Sequence, residues 1–360
     1  MEKNQVSLRK LAEVISVSHP TMSKYIENNQ PLDSNKLMKI AQYFNKPFDY
    51  FFKDSNEEFN FMFRADKPNI NISNIDIDRM NTAILSYLDI LGQNQLHYIP
   101  QKYTMLEQLS KSELESFIEK IAIEQRKLAK IEDIIPDNYF EVIEKIGVNV
   151  IARDFQNDHY FGVSSFSNSC GSFILINDSK QISEERKIFS LIHEYAHLLF
   201  HSNQYSSIEY NAFYVNNNKD FHEQVANSFA GYFLMPRNLV ESYVNSLSSL
   251  DVFDMKKHFQ VSIQTVFMML NKYQMISKEV YQKFWAVINS NGWKKHEPDP
   301  IESIQPEHKN NRIIRHIKDL YMKDEITSNK IAEVLGLDAL QIRQLLKDWR
   351  SKDERFIPLR

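Results

Sequence analysis

Cysteine is almost absent from this sequence of 360 residues, because Cys170 is the single one. An intrachain disulfide framework is therefore excluded, and the composition fits a reducing compartment. No apolar run reaches the ~18 residues of a membrane span, and the polar start "MEKNQVSLRK" lacks the apolar region of a signal peptide. We therefore predict a cytoplasmic protein without a membrane partner.

Glycine and proline are also scarce, at 7 and 11 residues, which argues against long flexible linkers. A hydrophobic content of 42% is ample for packed cores, and the length favours two to four domains. The net charge of -4 means that any contact with nucleic acid must be confined to a local patch.

Helical spacing dominates both ends of the chain. In residues 7–52, "SLRKLAEVI", "SVSHPTMSKYIEN" and "DSNKLMKIAQYF" read as three helices, with Ser18 and Asp33 or Ser34 as caps. A helix, a tight turn and a second helix form the helix-turn-helix pattern. A similar pattern recurs in "MKKHFQVSIQTVFMML" and "NKIAEVLGLDALQIRQLL" near the C-terminus.

The pattern of apolar residues changes after Pro136, from helical spacing to a mixture of strand and helix signals. One short helix ends at Gly147, three strand candidates follow, and two long helices end at Pro236. We therefore predict a mainly α protein with a small α+β core, built from a short antiparallel sheet and two long helices. The predicted division of the chain is a helix-turn-helix unit at 1–56, a polar connector and helical arm at 57–135, the α+β core at 136–240, a helical extension at 241–295, a linker at 296–311 and a C-terminal helix-turn-helix-like unit at 312–360.

The segment "FSLIHEYAHLLFH" orders His193, Glu194 and His197 as H-E-x-x-H. Residues four apart lie on one face of a helix, about 40° apart, so both imidazoles can face one ion. Glu194 is adjacent to the first histidine and can reach a water bound to that ion. A catalytic zinc site needs three protein ligands and one open position, and its glutamate takes the proton of the water.

The third ligand must come from another element. In "HEQVANSFA", Glu223 and Asn227 lie one turn apart on one helix face. We predict that Glu223 is the third ligand and that Asn227 holds a histidine or the ligand carboxylate from the second shell. The alternative is that the histidines are ordinary core or surface residues.

Other residues near these motifs are less favourably placed to bind the metal. His201 lies about 80° round the helix from His193, which favours a second-shell or surface position over a ligand. His222 points away by about 100°, and Glu209 is a fallback third ligand. Cys170 is interpreted as structural or incidental, and Tyr195 as a packing residue.

These motifs resemble a known family. "FSLIHEYAHLLFH" followed by "EQVANSFAGYFLMP", after "IGVNVIA" and "GSFILIN", resembles the ImmA/IrrE metallopeptidases over roughly residues 136–280. The resemblance implies a zincin-like peptidase with His193, His197 and Glu223 as metal ligands and Glu194 as general base. The implied metal is Zn²⁺, with other divalent transition metals left open, and the implied substrate is a partner repressor, typically encoded nearby.

The N-terminal unit resembles an Xre-type helix-turn-helix domain, the kind often fused to such peptidases, and "FRA" at 63–65 resembles their connector. A domain of that type carries a full helix before "SLRKLAEVI", whereas about six residues precede it here, so we expect its first helix to be missing or trimmed. The residues predicted to contact DNA are His19, Thr21, Ser23, Lys24 and Tyr25.

Two functions follow from these observations. The first is a zinc-type endopeptidase with its own DNA-binding module, which cleaves a partner regulator. The alternative is a DNA-binding regulator or antitoxin that uses the peptidase fold as a sensor or scaffold.

Residues 1–52 hold seven Lys and Arg against five Asp and Glu, and residues 310–360 hold eleven against eight, so neither end is strongly basic. The sequence is compatible with a homodimer.

Overall fold

The computed structural model describes residues 7–27, 32–44, 61–64, 73–92, 96, 98, 103, 106–157, 160–167, 169–201, 219–246, 251–294 and 296–351. No helix within these ranges is both long enough and apolar enough to cross a membrane. The chain divides into two compact units, one comprising Met1–Glu58 and Ile72–Asp78, the other Phe59–Asn71 and Arg79–Arg360.

The described elements are mostly helices. In chain order the helices are α1 Leu8–Val14, α2 His19–Glu27, α3 Ser34–Tyr43, α4 Asn74–Leu91, α5 Lys111–Leu128, α6 Tyr139–Ile146, α7 Glu184–Phe200, α8 Lys219–Leu234, α9 Arg237–Asn245, α10 Val252–Phe259, α11 Ile263–Lys272, α12 Lys278–Ser290, α13 Pro306–Lys309, α14 Asn311–Met322, α15 Ser328–Leu335 and α16 Ala339–Ser351. The strands are β1 Phe61–Arg64, β2 Asn149–Arg153, β3 Gly162–Ser167 and β4 Gly171–Asn177. This content confirms a mainly α protein with a small α+β core.

The first unit contains three short helices around a small apolar core. Its buried side chains are Leu11, Ala12, Ile15, Met22 and Ile40. Ser18 caps α2 by accepting from the backbone N–H of Thr21 at 3.3 Å, and Asp33 caps α3 by accepting from that of Lys36 at 2.9 Å. A short turn therefore separates α1 from α2, as the sequence predicts. The aromatic segment "KPFDYFF" lies outside the described residues.

The sheet of the second unit is mixed, so the antiparallel prediction is wrong. The strand order is β1-β3-β4-β2, and β2 runs parallel to β4 whereas the other two pairs are antiparallel. The connection 154–161 is too short for a crossover, so β3 must return antiparallel to β2. The hairpin partner β4 then lies between β3 and β2 and shares the direction of β2.

The fourth strand, β1, lies in the segment that the sequence predicts as a polar connector. Phe61 pairs with Ser165 and Arg64 pairs with Gly162, which covers the free edge of β3. The pairing partner of β1 is about 100 residues away, so a local reading of composition does not reveal the strand.

The core of the second unit surrounds α7. This helix packs against β3, β4, α6 and α8, and α5 packs on the outer side of α8. Arg126 on α5 is buried and donates to the backbone carbonyls of Phe233 at 2.7 Å and Ile131 at 2.6 Å. This buried guanidinium ties α5 to the end of α8, so α7 and α8 lie in fixed positions between the sheet and α5.

The predicted linker 296–311 is instead held against this core. Lys309 is buried, and its Nζ lies 2.5 Å from Asp178 Oδ1 and 2.9 Å from Glu184 Oε2. The side chain of Asn310 accepts from the backbone N–H of Ala152 and donates to its carbonyl. The predicted boundary at residue 240 falls inside α9, and the C-terminal pattern becomes α15 and α16, separated by a turn at Gly336.

Candidate metal centre

Helix α7 carries the first two candidate ligands. Ser183 occupies the N-cap position but makes no side-chain cap bond, while Glu184 and Glu185 supply negative charge to the helix start. His193 and His197 follow in the buried middle of the helix, where their Nε2 atoms lie 3.0 Å apart. Two imidazole nitrogens this close face a common point, as their spacing of one turn predicts.

Helix α8 brings Glu223 to the same point. One carboxylate oxygen lies 3.3 Å from His193 Nε2 and the other lies 3.6 Å from His197 Nε2. The three candidate ligand atoms lie within 4.8 Å of one another. The Glu223 side chain is 26% exposed, so the cluster is open to solvent on the carboxylate side.

Burial acts to raise the pKa of the Glu223 carboxyl, but hydrogen bonds from the rings of His193 and His197 outweigh it and hold that pKa well below its usual range. The carboxyl group is therefore ionised, which is the state that a metal ligand requires. Two nitrogen donors and one carboxylate fit a divalent transition metal, and they fit zinc when water completes a tetrahedron.

The far nitrogen of each histidine also has a partner. His193 Nδ1 donates to Asn227 Oδ1 at 3.0 Å, which turns the Nε2 side of the ring toward Glu223. His197 Nδ1 lies 2.8 Å from His201 Nδ1, so one ring donates and the other accepts. With His201 as the acceptor, His197 carries its proton on Nδ1 and presents Nε2 to the cluster.

His201 is 3% exposed, so it is not a surface histidine. Burial, followed by repulsion from His197, lowers the pKa of His201 well below its ordinary value and keeps the ring neutral. A neutral ring can accept a hydrogen bond from His197 Nδ1–H. His222 packs on His201 with ring centroids 4.3 Å apart, and its Nε2 lies 3.9 Å from Glu107 Oε1.

Glu194 is fully buried between α7 and β3. Ser164 Oγ donates to one of its carboxylate oxygens at 2.6 Å. Gly162 lies beside it, and a Cβ at this glycine would come within 2.9 Å of Glu194 Cγ. The strand therefore fixes the glutamate by one hydrogen bond and by close backbone approach.

Ser164 and Gly162 were not among the residues predicted from the sequence. Because the two residues are two positions apart, they lie on the same face of a strand. Nothing in the local sequence indicates that this face packs against Glu194. Among the weaker candidates, Glu209 lies outside the described residues. Cys170 is buried at the turn before β4, and Tyr195 packs in the core and donates to Gln125 Oε1 at 2.6 Å.

The five predicted DNA contacts lie on α2 in the first unit. His19 and Lys24 are exposed and Ser23 is half-buried. The Thr21 hydroxyl lies 2.7 Å from Ser18 Oγ, and Tyr25 packs on the small core and accepts from Lys36 Nζ at 3.3 Å. Two of the five side chains therefore stabilise the unit itself.

Comparison with known families identifies part of the second unit. Residues 143–271 match the model of peptidase family M78, described as the IrrE N-terminal-like domain. No curated protein matches the chain. The matched segment runs from α6 to α11 and includes the whole cluster of His193, His197 and Glu223, so the match supports a metallopeptidase-like domain there.

Proposed function

We propose that the second unit is a zinc-type metalloendopeptidase. In this proposal His193, His197 and Glu223 hold the metal, and Glu194 is the general base. The observation that carries the proposal is the convergence of three candidate ligand atoms within 4.8 Å, next to a buried glutamate that β3 holds in place.

The bound metal would supply a Lewis acid and lower the pKa of a water molecule. The chain's own residues do the rest. Glu194 takes the proton of the attacking water and passes it to the leaving amine. Ser164 keeps one oxygen of this carboxylate oriented, while Asn227 and His201 hold the two histidines in the tautomer that exposes Nε2.

The proposed substrate is a protein regulator, in the first instance a repressor encoded beside this chain. The basis is the resemblance to ImmA/IrrE peptidases and the match over residues 143–271. Incubation of the zinc-loaded chain with purified neighbouring regulators, followed by intact-mass analysis, identifies the substrate and the cleaved bond.

Glu194→Gln tests the mechanism. The amide keeps the volume of the side chain but cannot take a proton, so cleavage falls by ~10²–10⁴-fold while the metal content by plasma mass spectrometry stays at one equivalent. His197→Ala loses both metal and cleavage. Gln224→Ala, at an exposed position of α8, is the matched control and changes neither. Cleavage by Glu194→Gln at the wild-type rate excludes this mechanism.

We further propose that the first unit binds DNA through α2. The supporting observation is a helix, a short turn and a second helix that exposes His19 and Lys24. Lys24→Ala should weaken binding to a neighbouring promoter and lower the salt slope by about one, whereas Lys39→Ala on α3 is the matched control.

Gel shifts with these variants also address the alternative of a regulator with a peptidase-like scaffold. Specific binding that persists in His193→Ala, together with no cleavage of any partner by the wild type, favours the scaffold. The absence of a shift at every neighbouring promoter, with every form of the chain, would contradict the DNA-binding proposal.

A further inference from the structure

A cavity of about 270 Å³ lies beside the candidate metal centre. Three of its lining residues are neighbours of the centre. Asn227 bonds to His193, the ring of Phe189 lies 6.4 Å from the ring of His193, and Phe161 directly precedes Gly162, which abuts Glu194. The cavity therefore borders residues that surround His193 and Glu194, although the three candidate ligands do not line it.

The opposite wall comes from helices beyond the metal ligands. Met268 on α11, Tyr281 and Trp285 on α12, and Trp293 in the following turn contribute apolar and aromatic surface. Together with Phe189 and Ile182 on the side of α7, they give the cavity a lining suited to a ring or a long aliphatic chain.

Several polar groups of the lining already have protein partners. Gln264 donates to the carbonyl of Trp293 at 3.0 Å, and the Arg186 guanidinium donates to that of Lys294 at 2.9 Å. Glu185 accepts from Lys256 Nζ at 2.6 Å through one oxygen, while its other oxygen is buried without a hydrogen-bond partner among the described residues. The lining carries both acids and bases, so it favours neither a cation nor an anion, whereas an apolar occupant gains from burial.

The volume of the cavity suits one large side chain. Sites for whole small molecules typically measure ~300–1,000 Å³, and about 270 Å³ lies at the lower edge of that range. We propose that it is a specificity pocket of the peptidase, which receives a large uncharged side chain, aromatic or aliphatic, from a residue next to the cleaved bond. This inference rests on the proposed function, since it names the substrate class of the same site.

The first test is cleavage profiling of the zinc-loaded chain on a proteome-derived peptide mixture. The expected profile shows Phe, Tyr, Trp, Leu or Met at one position beside the cleaved bond, with kcat/KM at least ~10-fold above Ala. Trp285→Ala removes one wall and reduces this preference to a few-fold, and Trp285→Phe restores most of it. Val287→Ala, an exposed position on the same helix, is the matched control and leaves the profile unchanged.

The second test does not require cleavage. Two of the three tryptophans line the cavity, so N-acetyl-phenylalaninamide at millimolar concentration should change the tryptophan fluorescence of wild type and of Glu194→Gln. N-acetyl-alaninamide and N-acetyl-lysinamide should not. This response without any cleavage supports the pocket and counts against the proposed peptidase.

Three results would contradict the proposed specificity pocket. The first is cleavage with no side-chain preference or with a preference for charged side chains. The second is a cleavage profile that Trp285→Ala leaves unchanged in a folded variant, and the third is an equal fluorescence change with all three amides.

Discussion

At the scale of single residues, the two halves of the metal cluster could be predicted because the geometry within each helix is local, while the resemblance to a known family joined them. Residues four apart on a helix share a face whatever the rest of the fold does, and this placed His193 with His197 and Glu223 with Asn227. Ser164, Gly162 and the burial of His201 could not be predicted in this way, because each depends on which strand or helix packs next to α7.

Asn227→Ala is expected to lower metal affinity by ~10–100-fold, because His193 loses the partner that fixes its tautomer and ring orientation. Competition against a chromophoric chelator measures the affinity directly. The control is Gln224→Ala, at an exposed position on the same helix. An affinity equal to that of the wild type would show that the amide does not orient the histidine.

At the scale of elements, the helices of the core and three of its four strands were predictable, whereas the topology of the sheet was not. The period of the apolar residues and the caps gave α6, α7 and α8, because helix signals are local. The direction of β2 and the existence of β1 depend on pairing between distant segments, which a single sequence does not display. The linker prediction failed for a related reason, since the burial of Lys309 follows from a tertiary contact with α7.

Lys309→Met is expected to destabilise the second unit by about 3 kcal/mol. The variant leaves Asp178 and Glu184 with Lys187 as their remaining lysine, at 2.6 Å and 3.7 Å, so one buried negative charge loses its compensation. Urea unfolding followed by circular dichroism measures the change. Lys180→Met, at an exposed position nearby in sequence, should leave the midpoint in place. A loss below about 1 kcal/mol would mean that Lys187 alone satisfies both acids.

At the scale of the whole molecule, one buried acid links stability to pH. Glu144 on α6 is 6% exposed, and burial raises the pKa of its carboxyl from 4.5 to about 8. Between these two values the unfolded chain has released a proton that the folded chain still holds. The contribution of Glu144 to stability is therefore full below pH 4.5 and is lost as pH rises toward about 8.

Glu144→Gln should remove this slope and should be more stable than the wild type at pH 8. Thermal melts across the window, in the presence of a chelator so that metal affinity does not contribute, measure the effect. The matched control is Glu141→Gln on the same helix, whose carboxylate pairs with Lys145 near the surface. A wild-type slope that persists in Glu144→Gln would assign the pH dependence to another group.

The pairing of β1 with β3 has a consequence for synthesis of the chain. Phe61 leaves the ribosome about 100 residues before its partner Ser165, and at ~5–20 residues per second this is a wait of roughly 5–20 s. The segment "FMFR" must pass that interval without β3, the strand with which it pairs. A translational pause before residue 165 would therefore prolong the exposure of an apolar strand to chaperones and to other nascent chains.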